Sequence, residues 1–331
     1  MSSPSAADAA TPSTPPVPLT PPDLMRAWVG HPDGPVLRTV PLPEPGPHEL
    51  LVRVEAFSVN RGELHLFRRR PEGWRPGQDL AGTVVRAAAD GSGPAVGTRI
   101  VALNDFGGWA QWAAVPVDRA AELPAGVEVR EAAGLGVAGL TALRALRRGG
   151  PLLGRRVLIT GASGGVGSFA VQLAAAEGAE VTALTGVRRA LDLKALGAHA
   201  VVSSLDEAEG EFDLVLESVG GELLTGALGR LGPAGHLVLL GTSSGRTAAL
   251  SLSSFLPHAR QILHPFWVYG SGESAAEDLA LLVRLVERGR LRPVLGRVAA
   301  FDELPAVLAE LAERRIAGKA VLLVPADVAG E

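Results

Sequence analysis

The stretch that decides the fold covers residues 156–174 and reads RVLITGASGGVGSFAVQLA. Its first residues form an apolar run, which is typical of a strand buried on both faces. Gly161, Gly164 and Gly167 follow at a spacing of three, and the apolar residues after them recur at helical spacing. The stretch therefore predicts a strand, a glycine turn and a helix, in that order.

This order predicts a binding site for a dinucleotide. The glycines let the chain turn sharply, let its backbone approach a diphosphate, and let the helix pack closely on the strand. The free N–H groups at the start of the helix attract the negative phosphates. A glycine triplet alone is weak evidence, and the alternative is a plain tight turn without a ligand.

The next predicted strand indicates which dinucleotide binds. A site for NAD places a carboxylate about 20 residues after the glycine turn, where it binds the ribose hydroxyls. Here residues 185–189 read TGVRR, with no acid and with Arg188 and Arg189 side by side. Because arginine forks bind a 2′-phosphate that a carboxylate would repel, we expect NADP(H). The alternative is a solvated arginine pair at the start of a helix.

Length and composition exclude several classes of protein. A chain of 331 residues that is 47% hydrophobic can bury a large core in two lobes. Its net charge of −4 argues against a nucleic-acid partner, and the absence of cysteine excludes disulfides and thiolate ligands. Residues 1–22 read as a disordered leader without signal-peptide features, and no apolar run is long enough to span a membrane. We expect a cytoplasmic protein.

The rest of the chain divides into two patterns. Short alternating strands before residue 130 predict a partly open β-barrel-like domain. After the glycine turn, strands alternate with amphipathic helices, which predicts a parallel doubly wound sheet. The predicted strands there cover residues 200–202, 212–216, 236–240 and 266–269, with helices near 188–196, 221–230 and 275–288. After residue 291 a short strand, helix and strand return, so we expect the tail to complete the first domain.

Several motifs outside the glycine turn resemble the medium-chain dehydrogenase/reductase superfamily, in its zinc-free quinone oxidoreductase and enoyl reductase branch. They are SVN at 58–60, GQDLAG at 77–82, GGWA at 107–110, AGLTA at 138–142, LGA at 196–198, DLVLESVGG at 213–221 and GKAV at 318–321. The resemblance covers nearly all of the chain after residue 24. It implies an α/β protein with a GroES-like β-rich catalytic domain, residues 23–148 and 292–331, and an inserted NADP-binding Rossmann domain, residues 149–291.

The resemblance also implies roles for individual residues. The family position of Asn60 lies beside the nicotinamide, Thr141 contacts the cofactor, and Lys319 lies near it. His65 stands where relatives often carry a tyrosine and is a candidate to donate a proton or orient the acceptor; the alternative is a surface or structural histidine. We therefore predict Asn60 and His65 as catalytic residues. The predicted cofactor-binding residues are Thr141, Gly161, Ser163, Gly164, Gly165, Val166, Gly167, Thr185, Arg188, Arg189, Ser218, Gly241, Phe266 and Lys319.

Other polar and aromatic residues near the motifs are expected to be structural. Glu217 ends a strand, and we expect its carboxylate to accept backbone hydrogen bonds rather than act as a base. Tyr269 is expected to lie at a dimer seam. The aromatic residues Trp74, Phe106 and Trp109 either line the cleft or pack in the core.

Two related classes are excluded. The alcohol dehydrogenase branch needs cysteine ligands for zinc, and Glu63 with His65 supplies two ligands at most, so we predict no metal site. Short-chain dehydrogenases carry a similar glycine motif near the N-terminus and a Tyr-x-x-x-Lys pair. Here about 155 residues precede the motif, and the only tyrosine, Tyr269, has Glu273 four positions later.

The resemblance and the missing metal ligands favour conjugate reduction. Without a metal to stabilise an alkoxide, hydride transfer from the nicotinamide to a quinone or an α,β-unsaturated carbonyl is the easier reaction, because hydrogen bonds can hold the developing oxyanion. Two alternatives stay open: a tailoring enoyl reductase for a carrier-bound or natural-product intermediate, and a non-catalytic NADPH-binding protein. Members of the family commonly form homodimers through their last nucleotide-domain strand, which we place at residues 266–269.

Overall fold

The first third of the chain is rich in β-structure, as its alternating apolar runs predict. The computed structural model describes residues 21–67, 69–186, 191–255, 260–270 and 272–325. The first elements are β1 (Leu24–Val29), β2 (Val36–Pro41), β3 (Glu49–Val59), α1 (Arg61–Leu66), β4 (Asp79–Arg86), β5 (Arg99–Leu103), β6 (Trp112–Pro116), β7 (Ala120–Glu122), α2 (Val129–Ala132) and α3 (Gly136–Arg147).

The middle of the chain alternates strands and helices. Its elements are β8 (Arg156–Thr160), α4 (Gly165–Ala176), β9 (Glu180–Leu184), β10 (Ala200–Val202), β11 (Phe212–Glu217), α5 (Glu222–Leu228), β12 (Leu231–Leu239), β13 (Ile262–Pro265) and α6 (Ala275–Glu287). The strands form a parallel sheet in the order β10-β9-β8-β11-β12-β13. This is the doubly wound order, and β8 lies where the strand order reverses, so the glycine turn after β8 opens into the crevice where such sheets bind ligands.

The end of the chain returns to the first sheet. Its elements are β14 (Leu295–Ala300), α7 (Leu304–Ala312) and β15 (Lys319–Leu323). The strand order of this sheet is β14-β15-β3-β4-β5-β7, and β6 also pairs with β3. The predicted α/β architecture, with a β-rich part built from both ends of the chain and a doubly wound parallel sheet between them, is therefore confirmed, while the bounds of the two domains stay a prediction.

One predicted strand is wrong in position. The last strand of the parallel sheet, β13, ends at Pro265, and the chain then forms a short 3-10 helix, Val268–Gly270, where we predicted a strand over residues 266–269. Arg144 on α3 donates from Nη1 to the carbonyl oxygen of Val268 at 3.0 Å. The N–H of Phe266 still donates to the carbonyl oxygen of Leu239 at 3.0 Å, after which the chain leaves the sheet and Trp267 is 70% exposed.

A predicted helix is also missing from the described part of the chain. We expected a helix near residues 188–196, but residues 193–197 form a turn. Residues 187–190 lie outside the described residues. The described part of the connection between β9 and β10, residues 191–199, therefore contains no helix.

The largest apolar core joins the two sheets through α3. It includes Val101 and Val321 from the first sheet, Val157 from the parallel sheet, and Leu140 from α3, all buried. Because these residues pack in one cluster, burial of α3 holds the two sheets in a fixed relation. No helix in the described part of the chain is long and apolar enough to cross a membrane.

A buried carboxyl group links the two ends of the connection between β3 and β4. Glu63 on α1 is fully buried; its Oε2 accepts the N–H of Asn60 at 2.8 Å and its Oε1 accepts the N–H of Gln78 at 3.1 Å. Burial raises the pKa of Glu63 to about 8, and the negative charge of Asp79 adds to the shift. Glu63 is therefore protonated at neutral pH while it holds both ends of this segment.

We predict that Glu63 makes stability fall with rising pH. Its folded pKa lies above its unfolded value, so its contribution is complete below pH 4.5 and is lost as the pH rises to about 8. The free energy of unfolding should lose up to about 1.4 kcal/mol per pH unit in this window from this group. Urea unfolding of the parent and of Glu63→Gln at several pH values measures this pH dependence of the free energy of unfolding. An exposed control, Glu287→Gln, should keep the parent's pH dependence; the same dependence in Glu63→Gln would contradict the prediction.

Candidate active site

The two sheets meet at the glycine turn. The N–H of Gly318, just before β15, donates to the carbonyl oxygen of Ser163 at 2.8 Å, and Gly318 forms a parallel bridge with Gly164. Lys319 follows, and a Cβ added at Gly165 would lie 2.9 Å from its Cδ. The side chain of Lys319 therefore runs along the turn that we predicted to hold the diphosphate.

A buried polar cluster lies at the far end of this lysine. Asp79 at the start of β4 is fully buried, and its Oδ1 accepts the N–H of Val137 at 2.7 Å. Its Oδ2 accepts hydrogen bonds from Ser58 Oγ at 2.6 Å, Asn60 Nδ2 at 2.9 Å and Lys319 Nζ at 3.2 Å. Because Asp79 is paired and fully hydrogen-bonded, the buried charge is tolerated.

Lys319 fixes the orientation of the Asn60 side chain. An ammonium has three N–H donors, and those of Lys319 reach Asp79, the carbonyl oxygen of Val59 at 3.2 Å and Asn60 Oδ1 at 2.6 Å. Asn60 Oδ1 thus faces a donor while its Nδ2 faces Asp79, so a flipped amide would lose both bonds. Within the described residues, one hydrogen of Nδ2 is left for a ligand.

The glycine turn fits a dinucleotide. Gly161 has φ +61°, and a Cβ there would lie 2.7 Å from Ser218 Oγ; a Cβ at Gly167 would lie 2.5 Å from the carbonyl oxygen of Gly161. Gly164 caps α4 without a side chain, and no described residue accepts the N–H groups of Gly165, Val166 and Gly167. These donors at the positive end of a 12-residue helix suit a diphosphate.

Hydroxyl groups tie this turn to the neighbouring strand ends. Thr185 Oγ1 donates to Ser163 Oγ at 2.6 Å, and Ser218 Oγ donates to the carbonyl oxygen of Thr160 at 3.1 Å. Glu217 is buried, which raises its pKa, and its carboxylate accepts the N–H groups of Val219 and Gly220 at 2.8 and 2.9 Å. Glu217 is therefore a backbone acceptor, as we predicted.

The remaining predicted cofactor residues lie on other elements than the glycine turn. Thr141 is buried on α3, Gly241 follows β12, and Phe266 follows β13 with the Arg148 guanidinium 6.0 Å from its ring centroid. Arg188 and Arg189, on which the choice of NADP(H) depends, lie outside the described residues. The structure thus brings Asn60, Lys319 and the glycine turn together.

His65 does not join the polar cluster. It is exposed on α1, whereas Glu63 is fully buried. Residues two positions apart on a helix point in different directions, so Glu63 and His65 do not form a pair of metal ligands. Among the described residues, no three His, Cys, Asp or Glu side chains are placed to hold a metal ion. Zinc independence stays a prediction.

Two aromatic residues near the site, Trp109 and Tyr269, have different surroundings. Trp109 is fully buried and donates from Nε1 to the carbonyl oxygen of Ser58 at 3.2 Å, so it packs in the core. Tyr269 donates its hydroxyl to the carbonyl oxygen of Asn104 at 2.8 Å, which links the parallel sheet's side to the first sheet. Burial raises the pKa of Tyr269, and the carboxylates of Asp79 and Glu63 raise it further. Tyr269 thus faces the first sheet.

Sequence reasoning missed three polar members of the site. Ser58, Glu63 and Asp79 received no role in the site, although Ser58 and Asp79 stand in two of the motifs quoted for the family. A polar residue inside a strand of apolar residues, as Ser58 is in β3, was the signal that could have found them. Such residues need buried partners, and here they are partners of one another or of nearby backbone groups.

Family models match both parts of the chain. The model described as "Alcohol dehydrogenase GroES-like domain" matches residues 46–125, and the one described as "Zinc-binding dehydrogenase" matches residues 165–287. Together they cover strands β3 to β7 of the first sheet and strands β9 to β13 of the parallel sheet.

Individual relatives and structures agree with these models. The "Quinone-oxidoreductase QR1, chloroplastic" of Triphysaria versicolor is 30% identical over 309 residues, which are 86% of this chain and 92% of that protein. The "Spectinabilin polyketide synthase system protein NorB" of Streptomyces orinoci is 36% identical over 75% of this chain but only 12% of its own length. The structure of the quinone oxidoreductase from Coxiella burnetii superposes with a TM-score of 0.78 at 25% identity, covering 91% of this chain and all of that one. The chain therefore belongs to the medium-chain dehydrogenase/reductase superfamily, in its quinone oxidoreductase branch.

Proposed function

We propose that the protein is a zinc-independent, NADPH-dependent reductase that transfers hydride to a quinone or an α,β-unsaturated carbonyl. The observation that carries this proposal is the fixed amide of Asn60, held by Lys319 beside the glycine turn. The relatives named quinone oxidoreductases support the reaction class. The finer points, which are the phosphorylated cofactor, the acceptor and the lack of zinc, are proposals.

A nicotinamide dinucleotide supplies the hydride in this proposal. The free N–H groups at the start of α4 bind its diphosphate, since they lie at the positive end of the helix. Thr141, Ser218, Gly241 and Phe266 line the rest of its path. Lys319 acts through Asn60 and Asp79 rather than on a phosphate, because its three donors are already used.

The acceptor needs a hydrogen-bond donor where negative charge develops. Conjugate addition of hydride moves charge to the acceptor oxygen, and the free hydrogen on Asn60 Nδ2 is placed to hold it. The bonds from Asn60 to Lys319 and Asp79 keep this donor oriented, so little reorganisation is needed during the reaction. His65, which is exposed on the helix that Asn60 caps, is the proposed source of the proton that completes the reduction.

A second candidate is a tailoring enoyl reductase that acts on a carrier-bound intermediate. The 36% identity to part of NorB, a polyketide synthase system protein, favours it. For either reaction we propose a cytoplasmic homodimer that pairs the β13 edge of two copies. This strand ends the parallel sheet, and Ile262 on it is 44% exposed, so a second copy would cover an apolar edge.

The reaction itself is the first test. NADPH should be oxidised when 1,4-benzoquinone or a small enone is added, and a chelator such as EDTA should leave the rate unchanged, as followed by the loss of nicotinamide absorbance. A sample without acceptor is the control. No NADPH consumption across a broad panel of quinones and enones, or loss of activity with the chelator, would overturn the proposal.

Asn60 and Lys319 should affect turnover more than cofactor affinity. Removal of one oxyanion donor typically lowers kcat by about 100-fold or more, which we expect for Asn60→Ala. Lys319→Met should lower kcat similarly and also destabilise the fold by about 3–5 kcal/mol, because Asp79 is left buried without its cation. The double variant Asp79→Asn/Lys319→Met is the stability control. Unchanged kcat in Asn60→Ala would rule out a role for its amide in turnover.

The two arginines after β9 should decide between NADPH and NADH. Arg188→Ala or Arg189→Ala should raise the dissociation constant for NADPH about 10- to 100-fold, because one charge-assisted contact is lost. The dissociation constant for NADH should stay unchanged. Nicotinamide fluorescence measures both constants. The exposed Arg290→Ala is the control. Equal affinity of the parent for NADPH and NADH would contradict this prediction.

A further inference from the structure

Residues 69–77 lead into Gln78 and Asp79 and form a rim of the candidate site. Glu63 accepts the N–H of Gln78 at their end, as described above. Near this end, the carbonyl oxygen of Arg75 accepts the N–H of Gly107 at 2.9 Å, and that of Pro76 accepts the N–H of Trp109 at 3.1 Å. The connection before Gly107 begins at Asn104, which Tyr269 contacts from the other side of the cleft. Arg75 therefore lies on the strip of chain where the two halves of the molecule meet.

The guanidinium of Arg75 has no partner in the described part of the chain. It is half-buried, makes no hydrogen bond or ion pair with a described residue, and its pKa is lowered by burial. Nearby Arg119, by contrast, pairs with Asp105 at 2.7 Å. A partly desolvated guanidinium without an anion is unfavourable, whereas its planar donors suit a phosphate or a carboxylate in two-pronged contact.

Charges around Arg75 favour an anion. Arg69 and Arg70 are exposed in the same segment, and the Arg70 guanidinium lies 5.8 Å from the Trp74 ring centroid. Among the described residues from 64 to 77, Glu72 is the one carboxylate. Among the described residues of this segment, three arginines against one acid favour a positive potential, in a chain whose net charge is −4.

Exposed aromatic residues lie in the segments that meet beside Arg75. Phe106, next to the Gly107 that bonds the Arg75 backbone, is 51% exposed, and Trp267 is 70% exposed. The carbonyl oxygen of Phe106 accepts from Asn104 Nδ2 at 3.0 Å, and the Trp267 ring lies 5.6 Å from that of Tyr269, so both residues lie beside the Tyr269–Asn104 contact. A ligand that fits this rim has an anionic end at Arg75 and a long uncharged arm that passes exposed aromatic rings toward Asn60.

We propose that Arg75 is a specificity residue that binds the phosphate of a phosphopantetheine-linked enoyl thioester. Phosphopantetheine has this shape, because its phosphate lies at one end of a flexible uncharged arm and the reactive thioester lies at the other. A quinone has no charge for Arg75 to bind. The inference rests on the proposed function and narrows its acceptor class, and the similarity to part of a polyketide synthase system protein agrees with it.

Two thioesters that differ only by the phosphate test this proposal. The parent should reduce S-crotonyl-4′-phosphopantetheine with a kcat/KM about tenfold or more above that of S-crotonyl-pantetheine. Arg75→Gln should remove this preference, because KM for the phosphorylated compound rises while kcat stays the same. Arg75→Lys should show an intermediate preference. Arg290→Gln, an exposed arginine elsewhere, should keep the parent's preference. Crotonyl-CoA carries the 4′-phosphate on a free molecule, and a crotonyl carrier protein carries it on a protein. Arg75→Gln should lower kcat/KM for whichever of the two is the better substrate.

Other outcomes separate this inference from the proposed function. Equal kcat/KM for the two thioesters in the parent, or an equal loss for both in Arg75→Gln, overturns the role of Arg75 while reductase activity stands. If no acceptor, 1,4-benzoquinone included, oxidises NADPH, the proposed function fails instead. Calorimetry with S-butyryl-4′-phosphopantetheine, which is saturated and unreactive, still decides the inference: about tenfold weaker binding to Arg75→Gln supports it, and equal binding overturns it.

Discussion

A fully buried charge needs a partner, and Lys319 supplies one to Asp79. The same ammonium holds the Asn60 amide and the backbone of β3, while the preceding Gly318 bonds the glycine turn. Two consecutive residues thus connect the turn that suits a diphosphate with the amide proposed to face the acceptor. The relative position of the turn and the amide depends on this connection.

The charges in this cluster balance at neutral pH. Asp79 and Lys319 form an ion pair, and Glu63 is neutral because burial raises its pKa to about 8. The cluster therefore places little net charge beside the cofactor crevice. Such a balance suits hydride transfer, because a buried uncompensated anion would oppose the negative charge that develops on an acceptor oxygen.

The sequence predicts local structure well where one pattern decides it. Alternation and helical spacing predict strands over residues 49–59 and 99–103 and a helix over residues 304–312, and β3, β5 and α7 have these bounds, since both patterns reflect burial directly. The strand predicted over residues 266–269 is wrong: the chain forms a short 3-10 helix there, and a distant side chain, Arg144, binds its backbone. For the same reason the sequence could indicate Asn60 and Lys319 only through a family resemblance. Their contact with Asp79 depends on the fold, and the unpaired state of Arg75 is visible only when its surroundings are known.

The return of β15 to the first sheet has a consequence for biosynthesis. Asn60 and Lys319 touch although 259 positions separate them. During translation, Asn60, Glu63 and Asp79 leave the ribosome long before Lys319 does, and the parallel sheet is made in between. The nascent chain therefore carries an incomplete site until its last strand emerges, and a contact of such long range makes closure of this site a slow, late event in folding.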